Sequence, residues 1–144
     1  MVDQTGIAEF SLNELKKMAE EVVCYEDFPS DSDAIVQRIQ DADAVLVSWN
    51  TTLTREVLSQ CPRLKYIGLC CTYFDGPSCN VDVSYCREKG IGLTGVSHYG
   101  DQGVVEFVIS ELIRMVKGLG PMDFYEEQRE LGKMKLGVIG LGTV

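Results

Sequence analysis

The chain has 144 residues, 45% hydrophobic and 24% charged, the composition of one ordinary globular domain large enough to bury a core. A net charge of −9 argues against a nucleic-acid partner, because neutralising phosphates takes clustered lysine and arginine. No apolar run reaches the ~18 residues of a membrane helix, and Met1-Val2-Asp3-Gln4-Thr5-Gly6 is no basic segment before an apolar one, so a cytoplasmic protein is expected.

Residues 1–3 are too short to predict a strand; the expectation is either a clipped first strand or residues missing upstream. Ser11-Leu12-Asn13-Glu14 reads as a capping box, with Leu12, Leu15, Met18 and Ala19 following at helical spacing to about Glu20. Glu21-Val22-Val23-Cys24-Tyr25 predicts a strand. Asp31 or Ser32 caps a helix through Ile35, Val36 and Ile39. Ala44-Val45-Leu46-Val47-Ser48-Trp49 is a continuous apolar run, as in a strand covered on both faces. Thr52 or Thr54 caps the next helix, with Val57 and Leu58 inward and Pro62 past its end. A second buried strand spans residues 64–71, a loop with Gly, Pro and Asn spans 72–80, and a helix over 81–89 closes on Gly90. Residues 91–96 complete the set.

Strand and helix thus alternate at βαβ spacing, which predicts an open parallel sheet with helices on both faces and ligands bound beyond the carboxyl ends of the strands. Two loops lie at those ends, residues 72–80 and 97–102. After them Val104, Val105, Phe107, Val108, Ile109, Leu112, Ile113, Met115 and Val116 make a helix apolar over much of its circumference, suited to packing more than one body. Gly118-Leu119-Gly120-Pro121 breaks it. A polar helix over 124–131 precedes a terminal apolar strand, Lys135-Leu136-Gly137-Val138-Ile139, that runs into Gly140-Leu141-Gly142. That Gly-x-Gly supplies two of the three glycines of a dinucleotide-binding turn. The expected division is residues 1–100 as a parallel α/β domain, 101–133 as an interdomain hinge, and 134–144 as the truncated start of a Rossmann domain.

Six cysteines, 24, 61, 70, 71, 79 and 86, form no Cys-x-x-Cys pair and have one histidine for company, so neither a zinc site nor a disulfide framework is expected. Cys24, Cys70 and Cys71 fall inside apolar strand patterns, where a reduced thiol acts as a small hydrophobe. The acidic residues of the first third read as solvated faces.

The segments Ala42-Asp43-Ala44-Val45-Leu46-Val47, Thr54-Arg55-Glu56-Val57-Leu58, Pro62-Arg63-Leu64-Lys65-Tyr66-Ile67-Gly68, Asn80-Val81-Asp82 and Cys86-Arg87-Glu88-Lys89-Gly90-Ile91 occur in one order with Tyr99-Gly100, Val104-Val105-Glu106 and the Gly140 turn. Together they resemble the D-isomer-specific 2-hydroxyacid dehydrogenases from about Glu21 onward. The resemblance implies a flavodoxin-like substrate domain joined to an NAD or NADP domain. It also implies reversible hydride transfer between the cofactor and a small 2-oxo or 2-hydroxy acid, and a homodimer. It implies that Cys70, Cys71, Thr72 and Tyr73 hold the substrate carboxylate through backbone amides, with Tyr99 near the substrate. Thr72, Val104, Gly140, Leu141 and Gly142 would face the cofactor. Cys71 and Tyr73 stand where relatives often carry glycine, and Asp75-Gly76-Pro77-Ser78 reads as an insertion. The family's catalytic arginine, carboxylate and histidine fall downstream, so His98 is assigned no catalytic role. The fragment is expected to be inactive and to bind no cofactor. The alternative reading is a free-standing flavodoxin-like binding or dimerisation module.

Overall fold

The computed structural model describes residues 1–73, 78–120 and 129–140, and the chain divides into two compact units, residues 1–97 and 98–144. The first unit holds α1 (Glu9–Met18), α2 (Ser32–Ile39), β1 (Ala44–Val47), α3 (Arg55–Ser59), β2 (Tyr66–Thr72), α4 (Val83–Lys89) and β3 (Gly92–Val96). The second holds α5 (Asp101–Val116) and a 3-10 turn at Leu131–Lys133. The three strands form one parallel sheet in the order β1-β2-β3, with Val45, Ile67 and Leu93 level across it. Parallel neighbours require crossovers, and α3 and α4 supply them.

Local chemistry sets most boundaries. Asp31 accepts from the Ala34 amide at 2.8 Å and starts α2, Asp82 does the same for Tyr85 at 2.7 Å in α4, and Thr54 caps α3. Gly90 ends α4 at φ +70°, a conformation glycine adopts without strain. Ile39, Val47, Leu53, Val57, Leu58 and Ile67 are almost wholly buried and form the centre of the core.

Three expectations fail. Helix α1 begins at Glu9, with Ala8 at the N-cap and no side-chain cap, so Ser11 lies inside the helix. No residue of α1 is buried; Leu12 and Leu15 are half-covered and Met18 is exposed, so the helix has little packing to hold it. Residues 21–25 form no strand, because the edge of β1 is taken by the amino-terminal segment: the Val2 amide donates to Leu46 O at 3.0 Å, and Val2 and Asp3 are fully buried. Cys24 is consequently exposed instead of apolar lining. Residues 135–140 form no strand, and the sheet among the described residues holds only β1, β2 and β3. Residues 124–128 of the expected polar helix lie outside the described residues, and Arg129 and Glu130 are not helical.

All six cysteines are free thiols. Burial, and then the charges of Asp82 and Cys79, push Cys86 from 9.0 up to about 11, and burial alone raises Cys61. The folded thiol keeps its proton where the unfolded one has lost it. Its contribution to stability is therefore full below pH 9 and is lost as pH rises through about 11. Thermal melts should show a falling midpoint across that window, and a Cys86→Ala chain should show a smaller fall.

Candidate functional site

The carboxyl ends of β1, β2 and β3 lie on one side of the first unit, and β2 supplies the irregularity there. Its register with β3 runs Leu69↔Gly95 and then jumps to Thr72↔Val96, which leaves Cys70 and Cys71 without partners on β3. Strand β1 ends level with Leu69, so neither residue has a register partner on that side. Such a bulge takes backbone out of the ladder and re-aims side chains, a device common beside binding sites. Cys70, Cys71, Thr72 and Tyr73 are all half-buried. The Tyr73 amide is committed, donating to Val96 O at 3.3 Å.

Close packing fixes Tyr73. A Cβ built on Gly95 would stand 2.5 Å from Tyr73 Cβ and 3.2 Å from its Cα and N. Both obstacles are near the backbone, so neither can swing aside. Gly95→Ala is expected to cost about 1–3 kcal/mol, the usual penalty of overpacking. Denaturant melts would measure that cost, and loss of the protected Tyr73 amide in hydrogen exchange would locate it.

The thiols of Cys70 and Cys71 are pushed up, chiefly by burial, with the Asp3 charge adding to both. Near neutral pH they are uncharged, so the bulge presents weakly polar sulfur and no anionic charge of its own.

A polar network joins Asp3, Ser48 and Asn80, and of these the sequence motifs include Asn80 alone. Asp3 is wholly buried, and its two carboxylate oxygens accept from the Ser48 amide at 3.0 Å and the Ser48 hydroxyl at 2.7 Å. Ser48 Oγ in turn accepts from the Asn50 amide at 3.1 Å. Asn80 Nδ2 donates to Ser48 O at 2.8 Å and Thr51 O at 2.6 Å, while Asn80 O accepts from the Leu53 amide at 2.8 Å. The signal available was weak: short polar residues just past apolar runs, a pattern shared by many turns.

The remaining expected site residues belong to the second unit. Tyr99 is exposed, and Val104 sits in the first turn of α5 with its amide bonded to Gly100 O at 3.0 Å. His98 adopts φ +59° and its Nδ1 lies 2.9 Å from Asp101 Oδ2 on the surface. Gly140 has φ +91°, with nothing among the described residues within 4 Å of a built Cβ, the backbone freedom that a tight phosphate-approaching turn requires. Leu141 and Gly142 lie outside the described residues, as do residues 75–77 of the insertion. The structure thus brings Cys70, Cys71, Thr72 and Tyr73 together in one unit, and holds Tyr99, Val104 and Gly140 in the other. Among the described residues no three metal-ligating side chains cluster.

Comparison with known proteins agrees with this architecture. A hydroxypyruvate reductase of Blautia hydrogenotrophica is 32% identical over 91 residues, covering 63% of this chain and 27% of the reductase. The NAD+-bound 3-phosphoglycerate dehydrogenase of Entamoeba histolytica superposes with a TM-score of 0.60 at 21% identity, over 86% of this chain and 39% of the enzyme. The D-lactate dehydrogenase of Aquifex aeolicus, complexed with NAD and lactic acid, gives 0.56 at 24% identity, over 81% and 34%. At such identities the two structures speak to the fold alone, and the chain spans well under half the length of each of these proteins. Residues 4–134 match the family described as the D-isomer specific 2-hydroxyacid dehydrogenase, catalytic domain, and the chain belongs to that family.

Proposed function

We propose that this chain is the substrate-binding part of an NAD- or NADP-dependent D-2-hydroxyacid dehydrogenase, which reversibly reduces a small 2-oxo acid. The observation that carries the reading is the register break at Cys70 and Cys71, which have no register partner on β1 or β3, at the carboxyl end of the central strand. Parallel sheets bind ligands at this end, and a run of unpaired N–H groups is a concavity for an anion. Amides of Cys71 and Thr72 would hold the carboxylate; Tyr73, whose amide is already bonded, would contribute its ring. Neutral thiols at Cys70 and Cys71 add no negative charge of their own to the seat. The family resemblance would put Tyr99 near the substrate, and Thr72, Val104, Gly140, Leu141 and Gly142 near the cofactor. The cofactor supplies the hydride when bound; this chain's share is to orient the acid and exclude water around it.

The whole protein is proposed to be a cytoplasmic homodimer, with residues 1–100 as its substrate domain, 101–133 as the hinge and 134–144 as the start of the cofactor domain. The 144-residue chain by itself should be silent, because the arginine, the histidine and its carboxylate partner belong in this reading to sequence beyond Val144. Incubation with NADH or NADPH and pyruvate, hydroxypyruvate or 3-phosphohydroxypyruvate is expected to leave absorbance at the nicotinamide band unchanged. Steady consumption of cofactor would refute that division of labour.

A further inference from the structure

Strand β2 ends at Thr72, and Asn80 lies three residues before α4. Val47 is level with Leu69, so Ser48 and Cys70 are the next residues of adjacent strands. Asn80 grips the turn that Ser48 opens: it is 9% exposed, and its single amide nitrogen reaches both Ser48 O and Thr51 O. Those two carbonyls are thereby satisfied at the edge of the core, where an unpaired one would be costly. The same residue's carbonyl accepts from Leu53, and Leu53 O accepts from the Asp82 amide at 3.0 Å, which places the start of α4. On the far side of the turn, Asp3 fixes Ser48 through both carboxylate oxygens. Cys71, Tyr73 and Cys79 pack against one common core, so the end of β2 and the chain before α4 share a floor.

We propose that Asn80 is a positioning residue for the carboxylate seat: by clamping the Ser48 turn against the chain before α4, it sets the backbone at Cys70, Cys71 and Thr72 in the spacing that binds an anion. The side chain touches no substrate itself. This rests on the assignment of the bulge as the carboxylate seat.

The test is an oxalate titration of the 144-residue chain, followed by the backbone amide resonances of Cys71 and Thr72. The wild-type chain should show saturable shifts there. Asn80→Ala should weaken the apparent affinity by about tenfold or more, as displaced positioning groups do. Asn80→Ser, which keeps one donor, should fall between. Core amides of β1 and α2 should stay protected from exchange in the Ser variant, separating a moved seat from a loosened fold. Asn80→Asp, isosteric but without the donor, should bind as weakly as the alanine form. Equal oxalate affinity in wild type, Ser and Asp forms would overturn the role of Asn80 and leave the seat standing. No shift at Cys71 and Thr72 in the wild-type chain would remove the seat, and the proposal with it.

Discussion

Ile67→Ala is expected to destabilise the chain by about 2–5 kcal/mol, the range for removing a branched aliphatic side chain from a packed core. Ile67 is wholly buried at the centre of the middle strand, with Val45 and Leu93 level with it on either side. Strands at this site cannot close over the void, because their spacing is held by the ladder. Domains of this size are stable by roughly 5–15 kcal/mol, so one substitution removes a large share of the total. Urea unfolding should show the midpoint shifted down with the slope unchanged. A loss below about 1 kcal/mol would mean that the sheet is not packed as described.

Asp3→Ala should be the second large effect, about 2–3 kcal/mol, because it strands the buried Ser48 amide and hydroxyl without their acceptor. Both hydrogen bonds, of 3.0 and 2.7 Å, are accepted by a carboxylate with no exposed surface, and water cannot replace it there. Asp3→Asn keeps one acceptor oxygen and should lose roughly half as much. The same melts measure both. If Asp3→Ala were neutral, the amino-terminal segment would not be a fixed edge of the sheet, and the clamp on Ser48 would lose one of its two jaws.

The two effects also mark what could be read from the residues. Ile67 was legible. An unbroken apolar run means a strand covered on both faces, and the helices around it carry their own caps at Asp31, Thr54 and Gly90. Asp3 was not. Its burial depends on the Val2 amide finding Leu46 O, a pairing between residues 44 apart in sequence that no local pattern encodes. Once that edge is taken, Glu21-Val22-Val23-Cys24-Tyr25 meets the amino terminus instead of β1, with Met1 N donating to Val23 O at 2.5 Å, and it forms no ladder however strand-like its composition. Tertiary pairing overruled propensity there.

The candidate site divides in the same way. Cys70, Cys71, Thr72 and Tyr73 were placed by resemblance and by the rule that parallel sheets bind at their carboxyl ends, and they do stand together at that end. The bulge that singles out Cys70 and Cys71 was invisible, because register shifts have no signature in one strand's sequence. So was the commitment of the Tyr73 amide to Val96, which narrows the proposed seat to its neighbours. Gly95 shows the same limit from the other side: a glycine in a strand pattern signals close approach in general, while only the structure names Tyr73 as what approaches.

One seat for a carboxylate at the end of β2 carries the proposed function. Its most direct test compares pyruvate with acetone, which lacks the carboxylate, as ligands of the wild-type 144-residue chain. Amide-resolved nuclear magnetic resonance would follow both. Saturable shifts centred on Cys70, Cys71 and Thr72 are expected for pyruvate, and none there for acetone. Equal responses to the two compounds, or pyruvate shifts confined to residues away from that bulge, would contradict the assignment.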